Sequence, residues 1–108
     1  MLNASEIIRG LTDSLILAQL LPGDSYGYEI NKTLLKLSEG DFELKEATLY
    51  TSFRRLEESG CIVSYWGDEN SGARRRYYAI NDSGKKLLLQ NRKDWKKIST
   101  MVSKLLGE

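Results

Sequence analysis

The sequence of 108 residues contains no histidine and a single cysteine, Cys61. Without histidine, the chain lacks the usual general base at neutral pH, every catalytic triad built on imidazole, and all imidazole metal ligands. One cysteine excludes a disulfide within the chain and a zinc site built on paired cysteines. A glycine-rich phosphate loop is also missing. We therefore expect a protein that is not an enzyme and that has neither a metal site nor another cofactor.

Long hydrophobic runs are absent as well. The most apolar stretch is residues 15–21, which is far short of the roughly 20 residues that a membrane-spanning helix needs. Glu6, Arg9 and Asp13 interrupt any secretory signal before it. These features predict no membrane contact and a cytoplasmic location.

Neither charge sign dominates, since 16 basic and 15 acidic side chains give a net charge of +1. The overall charge therefore identifies no binding partner, and local patterns have to do so. With 41% hydrophobic residues, the chain is long enough for one globular domain and too short for two.

Apolar residues at helical spacing predict three helices in the first part of the chain. The first covers residues 5–21 and ends at Pro22-Gly23. The second has Asp24 or Ser25 as its cap and ends at Gly40. The third covers residues 46–58 and ends at Gly60. Its predicted buried side consists of Ala47, Leu49, Phe53 and Leu56.

Two short strands and a last helix follow. Residues 62–66 and 75–80 are β-branched and aromatic, and a polar loop at 67–73 joins them as a hairpin. We expect Trp66 in the core at the base of this hairpin. Asn81 or Ser83 caps the last helix, which covers residues 82–106.

This order predicts an α+β fold that is mainly α, a winged helix-turn-helix (ααα-ββ) with a long C-terminal dimerisation helix. Residues 1–80 would form the DNA-binding domain and residues 81–108 the dimerisation helix, together as one compact unit. In such a fold the third helix enters a DNA groove and the hairpin is the wing.

The third helix has side chains that suit the major groove of DNA. Thr48, Thr51 and Arg55 share one face, opposite the predicted core side. Threonine can touch a thymine methyl group, and arginine can bind guanine through two hydrogen bonds. Further candidates on or beside this helix are Lys45, Tyr50 and Arg54. A merely solvated amphipathic helix has the same pattern and stays open as an alternative.

Three consecutive arginines, residues 74–76, stand where the polar loop meets the second strand. Such a run can reach phosphates or the minor groove. Alternation along a strand turns Arg75 away from Arg74 and Arg76. We expect Arg74 and Arg75 to contact DNA, and Tyr26 at the start of the second helix to bond a phosphate. The alternative is a charged strand edge that only prevents unwanted pairing.

The last helix has an apolar stripe. At about 37 Å it projects beyond a core whose expected radius of gyration is near 13 Å. Leu88, Trp95 and Val102 recur every seven residues, and Ile98 and Leu105 form a second row. The same helix of a second copy can cover this stripe, giving a twofold homodimer on a pseudo-palindromic operator. Packing on the first helix of the same chain is the alternative.

Trp95 lies in the middle of that stripe. Two copies near a dimer axis could hold a planar aromatic ligand between their rings, and a cation would gain further. The alternative is that Trp95 simply fills the dimer core.

Four motifs resemble those of the PadR family of transcriptional regulators. They are residues 26–30 (YGYEI), 44–50 (LKEATLY), 54–57 (RRLE) and 72–78 (GARRRYY). The resemblance runs from about Gly10 to the end of the second strand. The single long last helix is similar to that of the short-chain subfamily, and the closest likeness is to its multidrug-binding repressors.

This resemblance implies a homodimeric repressor that planar hydrophobic or cationic ligands release from DNA. The first and last helices of both copies would frame a central pore, with planar drugs stacked between the paired Trp95 rings. The pore positions implied by the resemblance are Ile7, Ser14, Ala18, Asp94 and Ile98. Two other readings stay open: a winged-helix module that binds another protein, and a repressor without an effector.

Overall fold

The computed structural model describes residues 11–67 and 74–108. These residues form α1 (Thr12–Leu20), α2 (Gly27–Leu37), α3 (Glu46–Glu58), β1 (Ile62–Trp66), β2 (Arg76–Ile80) and α4 (Asp82–Leu105). The winged helix-turn-helix with a long last helix, as predicted from the sequence, is confirmed. The start of the predicted first helix and most of the predicted hairpin loop lie outside the described residues.

The wing is an antiparallel hairpin whose register pairs Ile62 with Ile80 and Trp66 with Arg76. On its other side β2 is bonded to the segment before α2. The Ser25 amide donates to the Tyr78 carbonyl at 3.1 Å, and the Tyr78 amide donates to the Ser25 carbonyl at 2.8 Å. The wing is therefore attached to the start of α2 through the backbone.

The core is built where the three helices meet the inner side of the hairpin. The Phe53 ring of α3 stacks on the Tyr78 ring of β2, with centroids 3.7 Å apart and planes 11° apart. Buried aliphatic side chains pack in the same cluster as this pair and join α1 and α2 to it. They are Ile16, Leu17, Leu20, Ile30, Leu34, Leu49, Leu56 and Ile62. Burial of each such side chain stabilises the fold by about 1.5–3 kcal/mol relative to exposure.

The segment between α2 and α3 is fixed by one amide side chain. Asn31 donates from Nδ2 to the Leu44 carbonyl at 2.7 Å and accepts from the Leu44 amide at Oδ1 at 2.8 Å. Ser38, at the end of α2, bonds the backbone of Phe42 through its hydroxyl. Because Leu44 is itself buried and α3 begins two residues later, these bonds set where α3 starts.

The start of α4 is held by Asn81, which confirms this residue as the helix cap. Its Oδ1 accepts from the Gly84 amide at 2.9 Å, while its Nδ2 donates to the Gly60 carbonyl at 2.7 Å. The cap thus joins the end of α3 to the start of α4. Gly84 itself packs against the backbone between α3 and β1, since a Cβ there would collide with the Cys61 carbonyl oxygen.

Two local predictions are wrong. Neither Asp24 nor Ser25 caps α2: the N-cap residue is Tyr26, and it makes no side-chain capping hydrogen bond. Asp24 instead accepts a hydrogen bond from the Tyr65 hydroxyl, and the Ser25 backbone is engaged with β2. Ala47 is exposed rather than buried. It stands about 200° around the helix from Leu49, so the two cannot face the same core.

Beyond its first turns α4 leaves the core. Leu88 is 3% exposed, and Asn91 donates from Nδ2 to the Ser14 hydroxyl of α1 at 2.7 Å. Further along, Trp95 is 47% exposed and Leu105 77%. The radius of gyration of 15.2 Å exceeds the roughly 13 Å of a compact chain of this length, in agreement with a projecting helix. Among the described helices, none is both long and apolar enough to cross a membrane.

We expect Gly84→Ala to lower the free energy of unfolding by about 1–3 kcal/mol, since the added methyl group would meet backbone atoms that cannot move aside. Urea unfolding followed by circular dichroism measures this change. Gly23→Ala is the matched control, because a Cβ at Gly23 has open space around it. Equal stability of both variants would contradict the close contact at Gly84.

We expect Asn31→Ala to lower the free energy of unfolding by about 2 kcal/mol, because the amide and the carbonyl of Leu44 both lose their hydrogen-bond partner. The control is Gln90→Ala, which removes an exposed amide bonded only to Asp94 one turn away. The same urea experiment compares them. A loss for Asn31→Ala no larger than that for the control would show that the amide does not hold the segment.

Candidate nucleic-acid interface

The exposed side of α3, together with Lys45 before it, forms a continuous surface that we call the reading face. The opposite side of the helix packs inward through Leu49, Ser52, Phe53 and Leu56. All six sequence-predicted candidates in this region are exposed: Lys45, Thr48, Tyr50, Thr51, Arg54 and Arg55. The helix spacing therefore brings these candidates to one surface. Thr48 and Thr51 border a shallow hollow of about 380 Å³ between α3 and the start of α1.

Arg55 is bound to α1. Its Nε donates to Asp13 Oδ2 at 2.8 Å and its Nη2 to Asp13 Oδ1 at 2.7 Å, with a further bond from Nη2 to the Ser52 hydroxyl at 3.2 Å. The hydrogen bond to Asp13 and the charge of that carboxylate raise the pKa of Arg55, so the guanidinium stays charged. The sequence places Arg55 on a free face, whereas the structure pairs it with a carboxylate 42 residues earlier.

Arg75 lies at the loop end of the wing, and its side chain extends toward the start of α2. Its guanidinium carbon lies 4.8 Å from the centre of the Tyr26 ring, a distance at which a cation is attracted to an aromatic face. The Tyr26 ring meets Tyr77 edge-on at 5.3 Å, and Tyr77 stacks with Tyr65 at 5.7 Å. A row of three aromatic rings thus supports the Arg75 side chain.

The remaining two wing arginines lie against Trp66. The guanidinium carbons of Arg74 and Arg76 are 5.0 Å and 5.6 Å from the centre of its ring. As predicted from strand alternation, Arg75 makes its contact elsewhere. Trp66 is 52% exposed, so the expectation that it lies in the core is wrong. Trp66 is the last residue of β1, and the groups against its ring are guanidinium groups rather than apolar side chains.

Arg76 has further partners within the wing. It donates from Nη2 and Nε to the Ser64 hydroxyl at 2.7 Å and 3.1 Å, and Nη2 lies 3.8 Å from Glu57 Oε2. The Ser64 hydroxyl in turn donates to Glu57 Oε2 at 2.8 Å. This arrangement ties β2 to α3 and gives Arg76 a role in the fold.

A groove of about 400 Å³ separates the wing from the helices, and we call it the wing groove. Its lining consists of Tyr26, Gly27, Tyr28, Tyr50, Trp66, Arg74, Arg75 and Arg76. Gly27 lets α2 approach α3 closely, since a Cβ there would lie 3.1 Å from Leu49 Cδ2 and 3.3 Å from the Tyr50 hydroxyl. Aromatic faces and guanidinium groups in one groove suit a phosphate-bearing, planar partner.

The Tyr65 hydroxyl fixes the far end of the aromatic row by donating to Asp24 Oδ2. This hydrogen bond is the main cause of the raised pKa of Tyr65. For Tyr78 in the core, burial raises the pKa most strongly. Both phenols therefore stay protonated at neutral pH, and the positive charge of the wing is not offset by phenolate.

The predicted ligand residues fall into two groups. Trp95 and Ile98 are exposed on α4, and Asp94 accepts from Gln90 at 2.9 Å. Ser14 and Ala18 lie on α1. The Ser14 hydroxyl accepts a hydrogen bond from Asn91 Nδ2, and Ala18 packs against the core. Ile7 lies outside the described residues. The described part of the chain contains no cluster of three or more potential metal ligands.

Sequence reasoning missed three residues that organise this surface. Asp13 gives no local signal of its role, because its partner is on another helix. Asn31 gives a weak one, since asparagine within a helix often bonds a backbone group outside it. Trp66 gives the signal of a core residue, a tryptophan on a strand, although arginines follow it across the hairpin loop.

Comparison with known proteins agrees with this arrangement. Residues 16–90 match the sequence pattern of a family described as "Transcriptional regulator PadR-like family". A transcriptional regulator from Clostridium thermocellum is 42% identical over 93% of this chain and 97% of its own, with a TM-score of 0.86. A PadR family transcription regulator from Clostridium difficile is 36% identical over 90% and 99%, with a TM-score of 0.75.

A third relative, an uncharacterized protein of Lysinibacillus sphaericus, is 42% identical over 91% of this chain and 90% of its own length. The matched region begins within α1 and ends within α4, so it contains the reading face and the wing. The chain belongs to the PadR-like family of transcriptional regulators.

Proposed function

We propose that the protein is a homodimeric repressor that reads a pseudo-palindromic operator with α3 and holds the flanking phosphates with the wing. The observation that carries this proposal is the continuity of one surface. The exposed side chains of α3 adjoin the wing groove, and the wing arginines are already laid against aromatic rings. Such a regulator works where the DNA is, which supports a cytoplasmic location.

Within this proposal the residues divide by chemistry. Thr48 and Thr51 face the bases, because short hydroxyl side chains allow close approach in the major groove. Arg54 points outward from the same helix and either reads guanine or binds a phosphate. Lys45 and the Tyr26 and Tyr50 hydroxyls supply phosphate contacts at the ends of α2 and α3.

The hydrogen bonds of Arg55 to Asp13 and Ser52 use Nε and Nη2. A guanidinium has five N–H donors, so Nη1 can bind a DNA phosphate while the pair with Asp13 stays formed. Exposed ion pairs contribute at most about 1 kcal/mol, so a phosphate can also displace Asp13 at low cost. Arg55 is therefore a DNA contact either beside Asp13 or in its place.

The proposed dimer rests on the apolar stripe of α4. Trp95, Ile98, Val102 and Leu105 are exposed along one side of a helix that has already left the core. Covering them with a second copy removes a row of large apolar side chains from water, and contiguous exposed apolar patches mark interaction sites on proteins. Two reading faces, one from each copy, then match a twofold operator.

The proposed effector is a planar aromatic or cationic molecule held between the two Trp95 rings, as in multidrug-binding members of the short-chain subfamily. The half-exposed Trp95 supports this, with Ile98 one turn away and the Asp94 carboxylate beside it to favour a cation. Release from DNA requires that the ligand binds differently to two arrangements of the reading helices.

We expect Arg75→Ala to weaken binding to operator and scrambled DNA by the same factor, because a phosphate contact carries no sequence information. The slope of log K against log salt should fall by about 0.9 for the lost contact. Fluorescence anisotropy of a labelled fragment from upstream of the gene measures both quantities.

Two control variants accompany it. Arg75→Lys keeps the charge and should retain most of the slope, and Lys36→Ala removes a cation from the last turn of α2, away from the wing groove. An unchanged slope for Arg75→Ala would remove the wing from the interface. Absence of any operator preference in the wild-type protein would instead favour a protein-interaction module.

At protein concentrations where the variant is dimeric, we expect Trp95→Ala to abolish binding of a planar cationic acridine dye and to keep the operator affinity. The lost ring provides the stacking surface, whereas α3 and the wing are unaffected. Dye fluorescence tests this at a protein concentration where sedimentation gives both proteins the mass expected of the proposed dimer, twice 12.3 kDa.

Because Trp95 also belongs to the apolar stripe, Trp95→Phe is the matched variant: it keeps an aromatic surface and should keep part of the dye affinity. Trp66→Phe changes the other tryptophan and should leave dye binding unaltered. Full dye affinity in Trp95→Ala would place the ligand elsewhere, and a monomeric wild-type protein would contradict the dimer.

A further inference from the structure

The side of α4 opposite its apolar stripe is strongly basic, and we call it the basic face. At 100° per residue, its members lie within an arc of about 140° and extend for about 28 Å along the helix. They are Lys85, Lys86, Arg92, Lys93, Lys96, Lys97 and Lys104, and all seven are exposed. Asp82, at the first turn, is the only acidic residue within this arc.

Charge is thus unevenly distributed over the chain. Between Asp82 and Leu105 there are seven basic and two acidic residues, a net charge of +5. Since the whole chain has a net charge of +1, the remaining residues together have a net charge of −4. The part that holds the reading face would on average be repelled by DNA, whereas α4 would be attracted.

The basic face is not explained by helix stability. Arg92 and Lys96, and likewise Lys93 and Lys97, are like charges one turn apart, and each such pair destabilises a helix by about 0.2–0.5 kcal/mol. Among the described residues, no ion pair within 4.0 Å joins this face to a carboxylate. A bound polyanion would relieve this repulsion, because its charge screens the cations from one another.

The proposed dimer leaves this face uncovered. The apolar stripe is on the other side of the helix, so pairing through Trp95 and Val102 keeps the lysines outside. The same geometry argues against a lipid surface as the partner, because an interfacial helix inserts its apolar side into the membrane. That side is already required for the dimer. A rod of cations matches the continuous line of charge on a duplex.

We propose that the basic face of α4 binds the phosphate backbone of duplex DNA without reading its sequence, as a second DNA contact apart from α3 and the wing. This inference rests on the proposed DNA-binding function for the kind of partner, but on separate residues. It assigns to α4 a large part of the non-specific affinity and of its salt dependence.

The test compares two fourfold variants of the full chain. In the first, Arg92, Lys93, Lys96 and Lys97 are all replaced by Gln, which retains helix propensity and removes the charge. In the second, Arg92→Lys is combined with Lys93→Arg, Lys96→Arg and Lys97→Arg, which retains the charge. Circular dichroism and sedimentation verify that helix content and oligomeric state are the same in both.

Affinity for a mixed-sequence duplex of about 40 base pairs is measured between about 50 and 200 mM salt. We expect the Gln variant to lower the salt slope by roughly two to four and the charge-retaining variant to leave it unchanged. A slope for the Gln variant equal to that of the wild-type protein would overturn the proposal.

A parallel titration with operator and scrambled duplexes separates this result from the proposed function. A reduced slope in the Gln variant with operator preference retained supports both proposals. A reduced slope without operator preference in the wild-type protein supports only the basic face. Vesicles of mixed anionic and zwitterionic phospholipid provide the third arm: charge-dependent binding to them with an unchanged DNA slope would assign the face to lipid and overturn the proposal.

Discussion

The direction of the reading helix depends on one paired amide. Asn31 bonds both backbone groups of Leu44, and this pairing fixes the chain just before α3. Backbone groups in a turn otherwise bond to water and permit many conformations. Once Leu44 is fixed and buried, α3 starts at Glu46 and its apolar side meets the Tyr78 ring. The reading face then points outward, because it is the side of α3 opposite the buried side chains.

The wing follows a related principle, in which each flexible arginine has a rigid support. Arg75 lies on Tyr26, Arg74 lies on Trp66, and Arg76 is bonded to Ser64. Ordering an arginine side chain costs about 2 kcal/mol in rotamer entropy. Because these contacts already restrict the side chains, less of that entropy is lost when a partner binds. If the wing arginines bind DNA as proposed, the aromatic residues beside them contribute to the affinity by orienting the guanidinium groups.

Much of the fold was predictable because local rules decide it. Pro22-Gly23, Gly60 and the β-branched runs mark the element boundaries. Asn81 and Ser83 are both capping residues by their chemistry, and the structure selects Asn81. The candidate residues of α3 follow from helical spacing once Leu49 and Phe53 are placed inside. Ala47 fails as a core residue for the same geometric reason.

The rest depends on contacts between distant parts of the chain. Asp24 and Ser25 are good capping residues, yet Tyr65 and Tyr78 engage them from the wing, more than 40 residues later. Likewise, Arg55 has the spacing of a free side chain, and only the packing of α1 against α3 brings Asp13 to it. Trp66 is exposed because cations rather than aliphatic groups lie beside it, which strand propensity does not encode.

Two neighbouring residues of α1 bond different helices. Asp13 is bonded to Arg55 of α3, and Ser14 is bonded to Asn91 of α4, one turn before Trp95. A displacement of α4 along its axis would therefore strain a contact that lies one peptide unit from the contact to α3. If the proposed effector moved α3 in this way, thermodynamic linkage would require the effect to be reciprocal: a bound operator would change the affinity for the effector by the same factor.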